Sequence, residues 1–281
     1  MANFGKFKLP ELLRRSTETV NELNKLAVKE RIGQGNVFTA MFKAAGSEET
    51  ETVVLKKIIH ILDQEERKLF SKEVAILHGL NQTNVVKFKA VCCKPQAMML
   101  EYIYFDFKPF GQDIQVGALS DFRLETDHAN CEGFHDLVHH TAKEIIQGLP
   151  FLLSNEIAHR GLKSANILVS NQHYSSLCAE DREFELIYQS RPVAFKLTDF
   201  GESRSLLIQT QTVLASKTNN VDRGTLVHMA PELLLKEMAL FRASIDDLRL
   251  ADIWALGMIF FTMINPNLKS PYILEIRSQG V

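Results

Sequence analysis

Two glycines one residue apart, Gly33 and Gly35, stand inside a run of β-branched and aromatic residues, VKERIGQGNVFTAMF. At a strand turn such glycines let backbone N–H groups approach a phosphate with no side chain in the way. Many strand turns hold two glycines without any ligand, so this pair alone carries little. Lys56 follows in VVLK, and Glu73 comes 17 residues later. A lysine on a strand is usually a solvated charge, but one held by a carboxylate can aim its ammonium at two phosphates. The remaining reactive side chains do not converge. Cys92 and Cys93 are adjacent, Cys131 and Cys178 stand alone, and no CxxC spacing suggests zinc. Reduced, mostly buried thiols are expected. His139 and His140 are neighbours on a predicted helix, about 100° apart around it, and read as surface rather than as a metal pair.

Positioning these residues takes strands first and helices after. The stretch from Leu26 reads as a hairpin, and Thr52–Ile59 as the strand that carries Lys56. Gln64–Leu80 has apolar residues at 69, 70, 74, 76, 77 and 80, the period of a helix, and it carries Glu73. Val85–Val91 and Ala97–Ile103 are two further strands. Beyond about residue 104 helical patterns dominate. Phe134–Leu153 reads as a long helix and Ala251–Ile264 as a buried one, with short strands at Ile167–Val169 and Ala194–Leu197. Residues 171–192 are polar without a clear period and read as an insertion. Residues 202–229 form a Ser/Thr-rich loop. PELLRRSTETVNELNK at 10–25 predicts a short amphipathic helix outside the main fold.

Hydrophobic residues make up 46% and charged residues 23%, which excludes a disordered chain. With 32 basic and 34 acidic residues the net charge is -2, so nothing electrostatic favours nucleic acid. MANFGKFKLP lacks the apolar stretch of a signal peptide. The most apolar run, Ile253–Ile264, is too short to span a bilayer. The expectation is a cytoplasmic protein with no membrane span, built as one large domain or two compact lobes.

Five motifs then occur in order. His159-Arg160-Gly161-Leu162-Lys163-Ser164-Ala165-Asn166-Ile167-Leu168 comes first, then Lys196-Leu197-Thr198-Asp199-Phe200-Gly201. Arg223-Gly224-Thr225, Met229-Ala230-Pro231-Glu232, and Asp252-Ile253-Trp254 with Gly257 complete the series. In that order they resemble the protein kinase family, from about Leu26 to about residue 270. The resemblance implies an α+β, two-lobed fold: a small β-sheet lobe with one helix, then a larger, mainly helical lobe, with ATP in the cleft. It implies an N-terminal extension at 1–25, an N-lobe at 26–103 and a C-lobe at 104–281, with the insertion at 171–192 and an activation segment at 199–232. Only 24 residues follow Gly257. The family's last helices, which supply a partner for Glu232, are therefore expected to be missing, with Arg277 a weak substitute.

The resemblance also implies roles by position. Gly33 and Gly35 match the first two glycines of the loop over ATP, while Phe38 stands near the third and Ala40 near the usual valine. Lys56 matches the strand lysine and Glu73 its partner. Leu100 fits the residue behind the adenine pocket, and the backbone of Glu101 to Ile103 the linker that hydrogen-bonds adenine. Asn166 and Asp199 match the two Mg²⁺ ligands, and Lys163 the lysine that neutralises the transferring phosphoryl group. Asp252 matches the aspartate that props the catalytic loop, and His159 is expected to pack under Phe200. Lys163 and Gly224-Thr225 resemble Ser/Thr kinases, and LKSANIL with MAPELL looks most like the tyrosine-kinase-like group. Arg160 matches the arginine that binds an activation-loop phosphate, with Ser203, Ser205, Thr210, Thr212, Ser216 and Thr218 as candidate sites.

One position departs from the pattern. The family places an aspartate where Gly161 stands, and that aspartate orients the acceptor hydroxyl and takes its proton. Glycine can do neither. A positioned general base is worth about 10²–10⁴ in rate, roughly 3–5 kcal/mol of barrier. The nucleotide contacts are untouched by the change. The resemblance thus implies a pseudokinase: ATP and Mg²⁺ bound, transfer weak, and a regulatory or scaffolding role toward a protein partner. Three alternatives stay open. Glu202 substitutes as the base, slow transfer persists through positioning and charge neutralisation alone, or Gly161 is a one-nucleotide variant. Two other functional readings stand beside them, an active Ser/Thr kinase and a nucleotide-free interaction module.

Overall fold

The computed structural model describes residues 27–32, 36–43, 48–57, 64–93, 96–128, 137–178, 180–205, 226–231 and 244–265. The expected helix at 10–25, Gly33 and Gly35, Thr210, Thr212, Ser216 and Thr218, Gly224, Thr225, Glu232 and Arg277 all lie outside these residues. The described residues form two compact units, the first ending at Tyr102 and the second beginning at Ile103.

The first unit is a five-stranded antiparallel sheet in the order β1-β2-β3-β5-β4. Its strands are β1 (Ala27–Arg31), β2 (Val37–Lys43), β3 (Thr50–Lys57), β4 (Phe88–Cys93) and β5 (Gln96–Glu101). Alternation places Ala40, Phe42, Val53, Leu55, Ala90, Ala97 and Met99 in one buried cluster on one face. The expected hairpin is β1 with β2, which pair antiparallel. Helix α1 (Gln64–Gly79) buries Val74, Ile76 and Leu77 and also Glu73. Lys56 stands in the central strand β3, opposite Val37 on one side and Met98 on the other.

The second unit holds helices α2 (Leu119–His128), α3 (Leu137–Ser154), α4 (Arg182–Ser190) and α5 (Ile245–Ile264). Three short antiparallel pairs accompany them. β6 (Phe105–Asp106) pairs with β7 (Gln115–Val116), β8 (Ile157–Ala158) with β11 (Arg204–Ser205), and β9 (Ile167–Ser170) with β10 (Ala194–Leu197). The last two pairs decide where the motifs meet. The segment 159–166 joins β8 to β9, and 198–203 joins β10 to β11. Because β8 pairs with β11 and β9 with β10, these two connections must run side by side.

Helix α5 begins six residues before the helix expected at Ala251–Ile264. Ser244 and Asp247 form a capping box, each accepting the other's backbone N–H at 3.1 and 2.8 Å. The helix is fixed at both ends by arginines. Arg249 Nη2 donates to the Leu153 carbonyl at 2.7 Å, and Arg123 donates to both oxygens of Thr262. One face of α5 is buried, but Leu250 (61%), Ile253 (50%) and Ile264 (66%) are exposed among the described residues, so the apolar run is not buried all round.

The segment 171–192 is not irregular throughout. Its second half is α4, with Glu183 and Glu185 in the first turn, where carboxylates suit the helix dipole. Phe184 and Tyr188, four residues apart, stack at 5.9 Å and pack against Phe110 and Tyr174. Two turns are too short for a visible period, which is why the segment shows none in the sequence. None of the described helices is long and apolar enough to cross a membrane.

Candidate functional site

In the first unit, the Lys56 ammonium lies 2.7 and 2.9 Å from the two oxygens of Glu73. The carboxylate side chain is 5% exposed and the lysine side chain 31%. The sheet holds one partner and the helix the other, so the pair expected from the sequence is formed. A carboxylate buried this far requires a cation, and the pairing orients the ammonium. At the end of β5, the Glu101 amide donates to the Lys87 carbonyl at 3.1 Å, and Oε1 of its side chain accepts the Lys87 amide at 2.6 Å. The Glu101 N–H is therefore spent within the sheet. Leu100 is buried, as is Ile103 at the start of the second unit.

In the second unit the two parallel connections are stitched together. The Thr198 amide donates to the Asn166 carbonyl at 3.0 Å, and the Ser203 hydroxyl to the His159 carbonyl at 3.1 Å. Arg160 Nη1 donates to the Glu202 carbonyl at 3.2 Å. These bonds bring Gly161, Lys163 and Asn166 beside Asp199. Of the non-glycine residues with positive φ among the described residues, Arg160 and Asp199, both at 64°, flank this site, and Glu156 is the third. Such backbone is uncommon for residues with a side chain and is held only when its surroundings demand it.

The demand at Arg160 comes from Asp252 on α5. Its two carboxylate oxygens accept the amides of His159 and Arg160 at 2.6 and 2.7 Å, and the residue is 1% exposed. This is the propping role expected of it. Burial pushes the Asp252 carboxyl up to about 7, with the two amide bonds and the Arg160 charge pulling the other way. His159 is wholly buried, and its ring lies 4.8 Å from that of Phe200, as expected. Burial pulls its imidazole down to about 4, against the Asp199 charge and the Thr198 carbonyl. The ring is thus neutral near pH 7. Nε2 faces the Thr198 carbonyl at 3.0 Å and must carry the hydrogen, which leaves Nδ1 to accept the Gly161 amide at 3.3 Å. Burial also lowers the Arg160 guanidinium from its ordinary value, opposed by the Glu202 charge.

Asn166 is buried in a 3-10 turn that starts after Lys163. Its Nδ2 donates to the Gly161 carbonyl at 2.7 Å. That bond fixes the amide and leaves its oxygen as the acceptor end. Gly161 does not have positive φ, so its backbone does not require glycine. A Cβ there would meet Asn166 Nδ2 and His159 Nδ1 at 3.6 Å and His159 Cε1 at 3.8 Å, ordinary contacts.

One sequence expectation changes. Ser203 is fully buried and bonded to His159, so it is a structural pin and no site for modification. The pin joins residues 44 apart in sequence, and no local signal announces it. The backbone carbonyl of Glu202 accepts from Arg160, a bond that leaves its carboxylate out. No cluster of three His, Cys, Asp or Glu suited to a metal occurs among the described residues, His139 and His140 included.

The comparisons with known proteins agree with this arrangement. The family model described as protein kinase domain matches residues 26–275. Mitogen-activated protein kinase 10 of Arabidopsis thaliana is 27% identical over 226 residues, 79% of this chain and 46% of that protein. A probable cyclin-dependent kinase 8 of Dictyostelium discoideum is 28% identical over 251 residues, 89% of this chain and 57% of that protein. The chain spans about half the length of these curated relatives. With its family model covering most of its length, the chain belongs to the protein kinase domain family.

Proposed function

We propose that this chain is a protein kinase domain of Ser/Thr type that binds ATP with Mg²⁺ but transfers phosphate weakly, and so acts as a regulatory or scaffolding pseudokinase. The residues present fit the nucleotide. Lys56, oriented by Glu73, supplies a placed cation for phosphate oxygens. The Asn166 amide is fixed with an oxygen to offer, and Asp199 is a carboxylate held in a demanding backbone conformation beside it. Asn and Asp oxygens are the hard donors that Mg²⁺ prefers. When bound, the ion would neutralise phosphate charge. Lys163 would meet charge on the transferring group.

The observation that carries the reading is at Gly161. The loop there has its shape without glycine's freedom, a Cβ would sit there at ordinary contact distances, and glycine itself brings no carboxylate. The chain's own residues place the acceptor loop but do not hold or accept the proton of an incoming hydroxyl at this position. Its partners are proposed to be ATP and a protein.

The test has two parts. ATP with Mg²⁺ should raise the melting temperature of the wild type. Gly161→Asp should fold normally and raise the single-turnover transfer rate by about 10²–10⁴. A wild type as fast as this variant would remove the impaired-base reading. No thermal response to ATP and Mg²⁺ would favour a nucleotide-free interaction module.

A further inference from the structure

We infer that the Ser203 hydroxyl is a positioning group for Asp199 and so sets how tightly this chain holds a divalent cation. The inference deepens the proposed nucleotide reading and rests on it, because Asp199 is the carboxylate assigned there to Mg²⁺.

Asp199 has to be held where it is. Its φ of 64° lies in the left-handed region, which a residue with a side chain leaves unless its surroundings fix it. The connection from β10 to β11 is anchored on both sides of it. Before Asp199, the Thr198 amide donates to the Asn166 carbonyl and the Thr198 carbonyl faces His159 Nε2, both at 3.0 Å. After Asp199, the Ser203 amide donates to the Phe200 carbonyl at 3.1 Å and closes a turn over residues 200–203. Arg204 stands opposite Ala158, so the register brings Ser203 level with His159. The Ser203 hydroxyl there donates to the His159 carbonyl at 3.1 Å and ties the turn to the neighbouring connection.

Three features make this tie a positioning contact. Ser203 and His159 are both fully buried, so solvent does not compete for the bond. The acceptor is itself fixed, because the His159 amide is held by Asp252 of α5 at 2.6 Å. The turn is thereby referred to a helix rather than to a loop. The Asp199 charge also reaches His159, so carboxylate, ring and tie are neighbours. Arg160 Nη1 adds a second tie to the same turn at the Glu202 carbonyl, 3.2 Å away. Loss of the hydroxyl therefore loosens the turn without freeing it. The fraction of molecules with Asp199 in place falls, and the apparent affinity for an ion that needs it falls by the same factor.

The experiment uses the full chain as wild type, Ser203→Ala, Ser203→Cys and Ser203→Thr. Calorimetry gives the Kd of ATP in EDTA and in saturating Mg²⁺, and the ratio of the two is the contribution of the ion. Ser203→Ala should lower that ratio about fivefold, the worth of one ordinary hydrogen bond, and leave the Kd in EDTA unchanged. Ser203→Thr keeps the hydroxyl and should keep the ratio. Ser203→Cys, a weaker donor, should fall between. Without ligand, hydrogen exchange in Ser203→Ala should quicken over 199–203 and stay slow over 160–166. A ratio unchanged in Ser203→Ala overturns the inference, as does an equal loss of affinity with and without Mg²⁺. An order of variants that follows side-chain size instead of donor strength also overturns it. If the wild type gains from Mg²⁺ and Ser203→Ala gains as much, this inference alone fails. A wild type that gains nothing from Mg²⁺ removes the nucleotide reading and this inference with it.

Discussion

At the scale of single residues, the site is governed by two buried titrating groups that pull in opposite directions. His159 has its pKa lowered to about 4, so the folded state is stabilised where the ring is neutral and loses that contribution as pH falls from 6.5 toward 4. Asp252 has its pKa raised to about 7, so its contribution is largest in acid and declines as pH rises from 3.8 toward 7. Between these limits the two slopes offset each other. His159→Gln removes one of them. Urea unfolding should show the wild type gaining on this variant by about 3 kcal/mol between pH 4 and pH 6.5, from 1.36 kcal/mol per pKa unit. A difference that does not vary with pH would contradict the assignment. Gly161 belongs to the same scale. Its identity is a matter of chemistry and not of backbone geometry, which is why restoring a carboxylate there should be tolerated.

Among the elements, α4 and the paired connections behave differently. Helix α4 is short and rests on an aromatic cluster of Phe110, Tyr174, Phe184 and Tyr188. Tyr174 is nearly fully buried, and its hydroxyl donates to the Pro192 carbonyl, closing the segment around the helix. Phe184→Ala should cost about 3 kcal/mol if the cavity cannot collapse. Hydrogen exchange should quicken in 182–190 and leave 159–166 and 198–203 protected. Exchange that quickens in all three segments would tie α4 to the site more closely than its contacts indicate. The connections are the opposite case. They contain little regular structure, yet Asp252, Ser203, Arg160 and the Asn166 carbonyl hold them with bonds that reach across long stretches of sequence.

For the whole molecule, the residues proposed to hold ATP and Mg²⁺ are divided between the two units. Lys56 and Glu73 lie in the first, Asn166 and Asp199 in the second. A ligand at a hundredfold excess over its Kd stabilises by about 2.7 kcal/mol. Calorimetry with ATP alone, and with ATP plus Mg²⁺, should separate the two contributions. Lys56→Met should diminish the response under both conditions, whereas Asn166→Ala should lose only the increment due to Mg²⁺, as chelation would. Equal losses for both variants under both conditions would contradict that division. The family, the order of the motifs, the Lys56–Glu73 pair and the missing acid at 161 could all be read along the chain, because each depends on residue type and spacing. So could most strands and helices, because apolar periodicity is local. Folding decided the rest. The start of α5 depends on a capping box outside its apolar run, and α4 on aromatic partners in other segments. The burial of Ser203 and the packing of the Gly161 loop against 198–203 depend on β8 pairing with β11 and β9 with β10. Such contacts join residues tens of positions apart, and composition and spacing leave no trace of which side chain will be enclosed when distant strands come together.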